Sequence, residues 1–355
     1  RNGRILVENR PIFSIQVMPQ MQNDKVIGQL ESLLGEKITY KISADQPLII
    51  KDNIKPEIAI RVEERKNELE GVVISVRPVR YYPHNDVAAH LLGYVSSDRI
   101  GVDGIEKQYD ELIRGIDGGK KIEVDVRGQP RRLLESLEPL PGANVQLTID
   151  LEMQVAAEKA LGRSGQPGAV VILDPWTGEI LALASRPDYD PNFILGALSA
   201  ASHPFMNRAL AIYPPGSIFK VVTLTAALQE KVAKPTETIY CPGYYRVNNR
   251  IAKCWKGSGH GRITVAEGLT QSCDVVFYEM GRRLGPDRVA DYARRYGLGE
   301  KTGIDIPQEK KGLVPTAEWK KKVWGEQWYE GDSINYGIGQ GFLQVTPLQM
   351  ALVYA

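Results

Sequence analysis

The chain has 355 residues, with 44 Lys+Arg against 43 Asp+Glu and a net charge of +1, a balance that excludes the basic footprint of a nucleic-acid binder. A hydrophobic fraction of 43% beside 25% charged residues excludes wholesale disorder and predicts two domains, each with its own core. No apolar run approaches the ~18 residues of a membrane span.

The first ~140 residues are mixed and polar, with alternating segments at 12–17 and 72–76 that predict strands in a β-rich, loosely cored region. The stretch 115–119 reads as a turn. Pro and Gly punctuate residues 137–144, which predicts the boundary between a domain at 1–142 and another at 143–355. A strand is then expected at 145–149 and an amphipathic helix at 151–161. Residues 169–173 and 179–185 predict a hairpin closed by Asp174-Pro175-Trp176-Thr177-Gly178. Helical patterns dominate the remainder, so the fold class is α+β, an antiparallel sheet with helices, rather than a doubly wound sheet. The last helix opens at Thr346 with Pro347 in its first turn, and no Gly, Asn or basic residue closes it. With no initiator Met at Arg1 either, both ends are expected to be cut.

The segment Tyr213-Pro214-Pro215-Gly216-Ser217-Ile218-Phe219-Lys220 carries the most chemistry. Its prolines and glycine forbid a helix before Ser217, and residues 218–228 are nearly all apolar, which predicts a buried helix. Ser217 is then expected at a helix N-terminus, where backbone N–H groups stabilise developing negative charge. Lys220, at i+3, falls on the same face and within reach of the hydroxyl. Apolar surroundings bias an amine towards its neutral form, which can take a serine proton without a histidine. The plainer alternative is a serine cap followed by a surface lysine.

This Ser-x-x-Lys segment resembles that of class B penicillin-binding proteins of the cell-elongation type, penicillin-binding protein 2. The resemblance extends to Arg1-Asn2-Gly3, Arg77-Pro78-Val79-Arg80-Tyr81-Tyr82-Pro83 and Gly101-Val102-Asp103-Gly104-Ile105-Glu106 with Tyr109-Asp110 in the first domain. In the second it covers Tyr296-Gly297-Leu298-Gly299, Thr302-Gly303-Ile304-Asp305 and Gly337-Ile338-Gly339-Gln340-Gly341. It implies a penicillin-binding/β-lactamase-like transpeptidase domain on an elongated, dimerisation-like pedestal. It also implies D,D-transpeptidase chemistry: Ser217 attacks the penultimate D-Ala of a peptidoglycan stem peptide, Lys220 acts as base, and an amine of a neighbouring stem takes the acyl group. β-Lactams would acylate the same serine.

For the family's second motif the match is Ser272-Cys273-Asp274, after a helix opened by the capping box Thr264-Val265-Ala266-Glu267. Ser272 would relay protons to the amine. Asp274 departs from the commoner Asn, which puts in doubt any contact needing an amide N–H. Ser333-Ile334-Asn335 is a competing match, but no capped helix precedes it. Lys301-Thr302-Gly303 spells the third motif inside a loop, whereas the family's version lies on an edge strand expected beyond Ala355, so Lys301 is rejected as catalytic. The 337–341 glycines miss the spacing of a nucleotide loop.

Cys241, Cys254, His260 and Cys273 form C-x12-C-x5-H-x12-C between the two motifs. Three thiolates and one imidazole complete a tetrahedral, structural zinc site. The rival is a Cys241–Cys254 disulfide with Cys273 buried and His260 hydrogen-bonded. The resemblance favours zinc, because some elongation-type relatives carry metal ligands at matching places. His84, His90 and His203 are isolated, and no chemical role is expected for them.

The resemblance further implies a location on the periplasmic face of the cell membrane, with a single-pass anchor upstream, and a partner among SEDS-family membrane glycosyltransferases of the elongation machinery. Alternatives are a D,D-carboxypeptidase or β-lactamase-like serine hydrolase, and a non-enzymatic activator of that glycosyltransferase. Ser96-Ser97-Asp98 joins two family-like segments with fewer residues than the resemblance leads one to expect.

Overall fold

Strand β1 (Glu8–Val17) lies between β2 (Leu48–Ile54) and β3 (Val72–Tyr81) in an antiparallel sheet, as its alternating pattern predicts. The computed structural model describes residues 1–40, 47–124 and 130–355. Ile15 and Val17 turn inward against Val26, Ile27 and Leu30 of α1 (Asp24–Leu34) and Ala59 and Val62 of α2 (Pro56–Glu64). Each such side chain contributes roughly 1.5–3 kcal/mol of burial. The Asn23 side chain caps α1 by accepting the Lys25 and Val26 N–H groups, and Gly35 ends it in the left-handed region.

The chain then crosses towards the second half of the molecule through α3 (Ala89–Leu92), α4 (Gly104–Gln108) and α5 (Asp110–Ile113). Tyr82, Leu91, Leu92 and Ile105 share one core with Ile149, Leu183, Leu210 and Leu348, so apolar packing runs across residue 142. Arg80 locks β3 to α4 through a bidentate contact with the buried Glu106 carboxylate, at 2.7 and 2.9 Å. The Ser96-Ser97-Asp98 join closes as a tight turn, the Arg99 N–H donating to the Ser96 carbonyl and the Ser96 N–H to that of Ile100. A separate hairpin pairs β4 (Gly119–Val124) with β5 (Pro130–Leu137).

Helix α6 (Leu151–Arg163), capped by Asp150, packs on the hairpin of β6 (Gly168–Leu173) and β7 (Ile180–Arg186). The helix and hairpin match the sequence reading. The strand expected at 145–149 does not form: Leu147 and Ile149 pack into the core, and among the described residues this stretch is tied to β7 by Thr148 Oγ1 donating to the Ile180 carbonyl and the Asp150 N–H to that of Leu181. Apolar alternation without a ladder partner leaves an extended segment.

The second half is mainly helical. Helix α7 (Lys220–Gln229) is followed by four short strands, β8 (Thr238–Cys241), β9 (Tyr244–Val247), β10 (Arg250–Lys253) and β11 (Gly261–Thr264), paired β8 with β11 and β9 with β10. Next come α8 (Val265–Thr270), with the predicted Thr264–Glu267 capping box, and α9 (Asp274–Arg295), broken at Gly285-Pro286. The chain continues through α10 (Ala317–Trp324) and α11 (Glu330–Gly337) to α12 (Pro347–Tyr354), capped as expected by Thr346. Phe219, Val222, Phe277, Met280 and Tyr336 interlock α7, α9 and α11 into the largest core, with the Phe219 and Tyr336 rings stacked at 5.9 Å. The α+β expectation holds.

Candidate active site

Ser217 sits in a 3-10 turn, Gly216–Phe219, and α7 begins at Lys220, two residues later than the apolar run suggests. The turn is tethered from outside: the Gly216 N–H donates to the Gly339 carbonyl at 2.8 Å. Gly339 has φ +74°, and a Cβ there would lie 2.2 Å from the Gly216 carbonyl oxygen. The glycine-rich stretch that fails as a nucleotide loop is therefore a packing surface for the nucleophile's turn. Ser217 is exposed, while Phe219 and Lys220 are buried on the other side of the turn.

Lys220, only 1% exposed, donates from Nζ to Asp274 Oδ1 at 2.6 Å, to the Ser272 carbonyl at 2.9 Å and to Ser272 Oγ at 3.1 Å. These three acceptors match the three hydrogens of an ammonium. One expectation is thereby corrected. The amine does not sit in an apolar sleeve, because a carboxylate and two oxygens of Ser272 surround it. Its hydrogen bonds among the described residues run to Ser272 and Asp274, at the start of α9.

Ser272 holds φ +51°, a left-handed conformation uncommon outside glycine, which turns both its carbonyl and its hydroxyl towards Lys220. Asp274 uses its two carboxylate oxygens as acceptors, from Lys220 and from the Trp255 backbone N–H at 2.9 Å. An ionised carboxylate fulfils both contacts and an amide nitrogen could accept neither, so the departure from Asn has a physical reason here. Ser217, Ser272 and Asp274 line one groove, together with Lys253, Trp255, Tyr278 and Gln340.

Sequence reasoning did not single out Lys253, Trp255 or Tyr278, and it named Gln340 only within the glycine-rich stretch that carries the resemblance. Trp255 ties the groove together, its indole Nε1–H donating to the Gln271 and Ser272 carbonyls at 3.2 and 3.1 Å. The available signal was its place beside Cys254, within the loop between the two motifs. Ser333 and Asn335 of the competing match lie in α11, where Ser333 is buried and accepts from Trp328 Nε1. Lys301 lies in an irregular loop whose Thr302 hydroxyl and N–H both donate to Glu309.

The four residues of the cysteine/histidine pattern converge beside this groove. Pairing of Cys241 with Gly261 across β8 and β11 draws His260 to Cys241, and the Cys254 N–H donates to the Gly243 carbonyl. Cys273 stands immediately before α9. Their ligand atoms all lie within 4.8 Å of one another, and His260 Nδ1 is 3.5 and 3.6 Å from the sulfurs of Cys241 and Cys254. All three cysteines are buried free thiols, so the predicted alternative of a Cys241–Cys254 disulfide is not what the structure contains. Burial pushes the Cys273 thiol up to about 12, and burial, with Lys256 and Lys220 nearby, holds the His260 imidazole below its ordinary range. The donor set, three sulfurs and one imidazole nitrogen at close range, fits a tetrahedral zinc ion.

An exposed serine before a buried lysine, with a second serine held against that lysine, is the arrangement of a lysine-assisted serine nucleophile, here following a region built on a three-stranded sheet. Residues 168–355 match the penicillin-binding protein transpeptidase domain, and residues 1–147 match the penicillin-binding protein dimerisation domain. The chain belongs to the class B penicillin-binding proteins, of the penicillin-binding protein 2 type. It is 32% identical to peptidoglycan D,D-transpeptidase MrdA of Acinetobacter baumannii, over 100% of this chain and 58% of that protein. Against MrdA of Escherichia coli K12 the identity is also 32%, over 99% of this chain and 62% of the relative. The chain thus spans less than two thirds of the curated relatives it matches. Penicillin-binding protein 2 of Helicobacter pylori, solved in complex with MreC, has the same fold with a TM-score of 0.82 at 27% identity, covering 99% of this chain and 73% of that one.

Proposed function

We propose that the protein is a peptidoglycan D,D-transpeptidase acting through a Ser217 acyl-enzyme. The observation that carries this is the groove in which exposed Ser217 faces Ser272 and Asp274, with Lys220 bonded to both of the latter. Ser217 Oγ attacks the penultimate D-Ala carbonyl, and its N–H supplies one arm of the oxyanion hole. For that attack Lys220 first yields one proton to the Asp274 carboxylate it touches at 2.6 Å; the neutral amine takes the serine proton, and the ammonium passes it through Ser272 to the departing D-Ala amine as the C–N bond breaks. An amine of a second stem then attacks the ester, loses its proton by the same route in reverse, and regenerates Ser217. Penicillins acylate the same oxygen. Incubation with a D-Ala-D-Ala stem peptide and an acceptor amine tests this: cross-linked product supports transfer, and release of D-Ala with only hydrolysed donor supports a carboxypeptidase instead.

Cys241, Cys254, His260 and Cys273 hold one structural zinc ion in this reading. The four donors close the coordination sphere, so the metal supplies rigidity rather than an activated water. Through Cys273 it would fix the residue between Ser272 and Asp274. Elemental analysis of protein purified without chelator should find about one zinc per chain.

The names of the relatives support further assignments. Similarity to peptidoglycan D,D-transpeptidase MrdA and to a penicillin-binding protein 2 in complex with MreC supports a role in peptidoglycan synthesis, and in this reading the protein works in cell-wall elongation at the periplasmic face of the membrane, held by an anchor. A membrane glycosyltransferase of the SEDS family is the expected partner. A Ser217→Ala protein that still stimulates glycan polymerisation would separate that role from transpeptidation.

A further inference from the structure

We propose that Lys253 forms a carboxylate subsite on the lip of the Ser217 groove, selecting stem peptides with a free acidic group close to the D-Ala-D-Ala end over their amidated counterparts. This deepens, and rests on, the transpeptidase reading. Two charged side chains, Asp274 and Lys253, line the groove. The Asp274 carboxylate is consumed by Lys220 and by the Trp255 N–H. Lys253 is an exposed residue of that lining, and its ammonium has no hydrogen bond or ion pair among the described residues. The groove that holds Ser217 therefore carries one lysine whose charge is unmatched.

The chain around Lys253 reinforces that charge rather than cancelling it. Between Glu237 and Glu267 there is no acidic residue, while Arg246, Arg250, Lys253, Lys256 and Arg262 are all exposed. A solvated surface lysine is the plain alternative, and Arg246, Arg250 and Arg262 fit it, being exposed and not among the residues that line the Ser217 groove. Lys253 differs in position and in anchorage. It closes β10 opposite Tyr244, its carbonyl accepts the Tyr278 hydroxyl at 2.9 Å, and the following Cys254 N–H is bonded to Gly243. A flexible stem on a fixed root can meet a carboxylate at more than one distance from the scissile bond. A carboxamide offers no charge, so the discrimination is electrostatic and screened by salt.

The test uses the intact protein and two synthetic peptides ending in D-Ala-D-Ala, identical except for a carboxylate or a carboxamide on the residue before them. Intact mass gives the rate of Ser217 acylation by each. The acidic peptide is expected to react about three- to tenfold faster, the advantage shrinking as salt rises. Lys253→Gln should abolish the preference, Lys253→Arg keep it and Lys253→Glu reverse it. Equal rates in the wild type, or a preference that survives Lys253→Gln, overturn the subsite while leaving the transpeptidase reading standing. A protein acylated at Ser217 by neither peptide nor penicillin overturns both.

Discussion

Lys220 Nζ lies 2.6 Å from Asp274 Oδ1, with the lysine side chain 1% and the aspartate side chain 13% exposed. Removing one member of such a pair strands a buried charge at a cost of about 3–5 kcal/mol. Lys220→Met should lower stability by that order and slow penicillin acylation by about 10²–10⁴-fold, the range for losing a general base. Asp274→Asn should also destabilise, and the Lys220→Met/Asp274→Asn double variant should regain about 1–3 kcal/mol over the sum of the singles. Urea unfolding of the four proteins reads that coupling; additive effects would mean that the contact contributes no pairing energy.

The glycines at 339 and 341 have nearly the same backbone twist, φ +74° and +76°, but different surroundings. A Cβ at Gly341 meets only Asn335 Cβ at 3.6 Å, whereas one at Gly339 would lie 2.2 Å from the Gly216 carbonyl oxygen. Gly341→Ala should cost about 1 kcal/mol of backbone strain and leave acylation close to normal. Gly339→Ala should displace the turn that carries Ser217 and slow acylation at least tenfold. Melting temperature and penicillin labelling, measured together on each variant, separate strain from displacement.

Metal removal gives a third expectation. Extraction of zinc by a strong chelator should lower the melting temperature and slow acylation in parallel, because Cys273 lies between Ser272 and Asp274. Cys241→Ser should mimic it from the far side of the cluster. Unchanged melting after complete metal loss would remove zinc from the account.

Acid sensitivity should come in part from His90. Burial holds its imidazole at about 4, only partly offset by the hydrogen bond to the Pro204 carbonyl. The folded state keeps His90 neutral while the unfolded chain takes up a proton below about 6.5. Its contribution is therefore complete above pH 6.5 and lost as pH falls towards 4, about 2 kcal/mol of it by pH 5. His90→Asn should be less stable at pH 7 and lose less on acidification, which urea titrations at pH 7 and pH 5 would show.

The sequence made the chemistry readable wherever it lay in consecutive residues. Ser217, Lys220 and the Ser272-Cys273-Asp274 triplet stand in one neighbourhood, as the family resemblance implies, and the hairpin, the caps at Thr264 and Thr346 and the strands at β1 and β3 follow local pattern. What stayed hidden depends on contacts between distant segments. The acceptors around Lys220 come from the start of α9, so an apolar helix pattern could not reveal them. Gly339 supports Gly216 from across the domain, and Trp255 reaches Ser272 through an indole that no motif marks. The 145–149 segment shows the converse: it alternates like a strand, yet among the described residues no neighbour pairs with it in a ladder.

The central claim, an acyl-enzyme on Ser217, is tested most directly by intact mass spectrometry after exposure to a labelled penicillin, with peptide mapping of the adduct. One stable adduct per chain on the peptide containing Ser217, absent from Ser217→Ala, is the predicted result. An adduct on another residue, or rapid turnover of the penicillin with none retained, would contradict it.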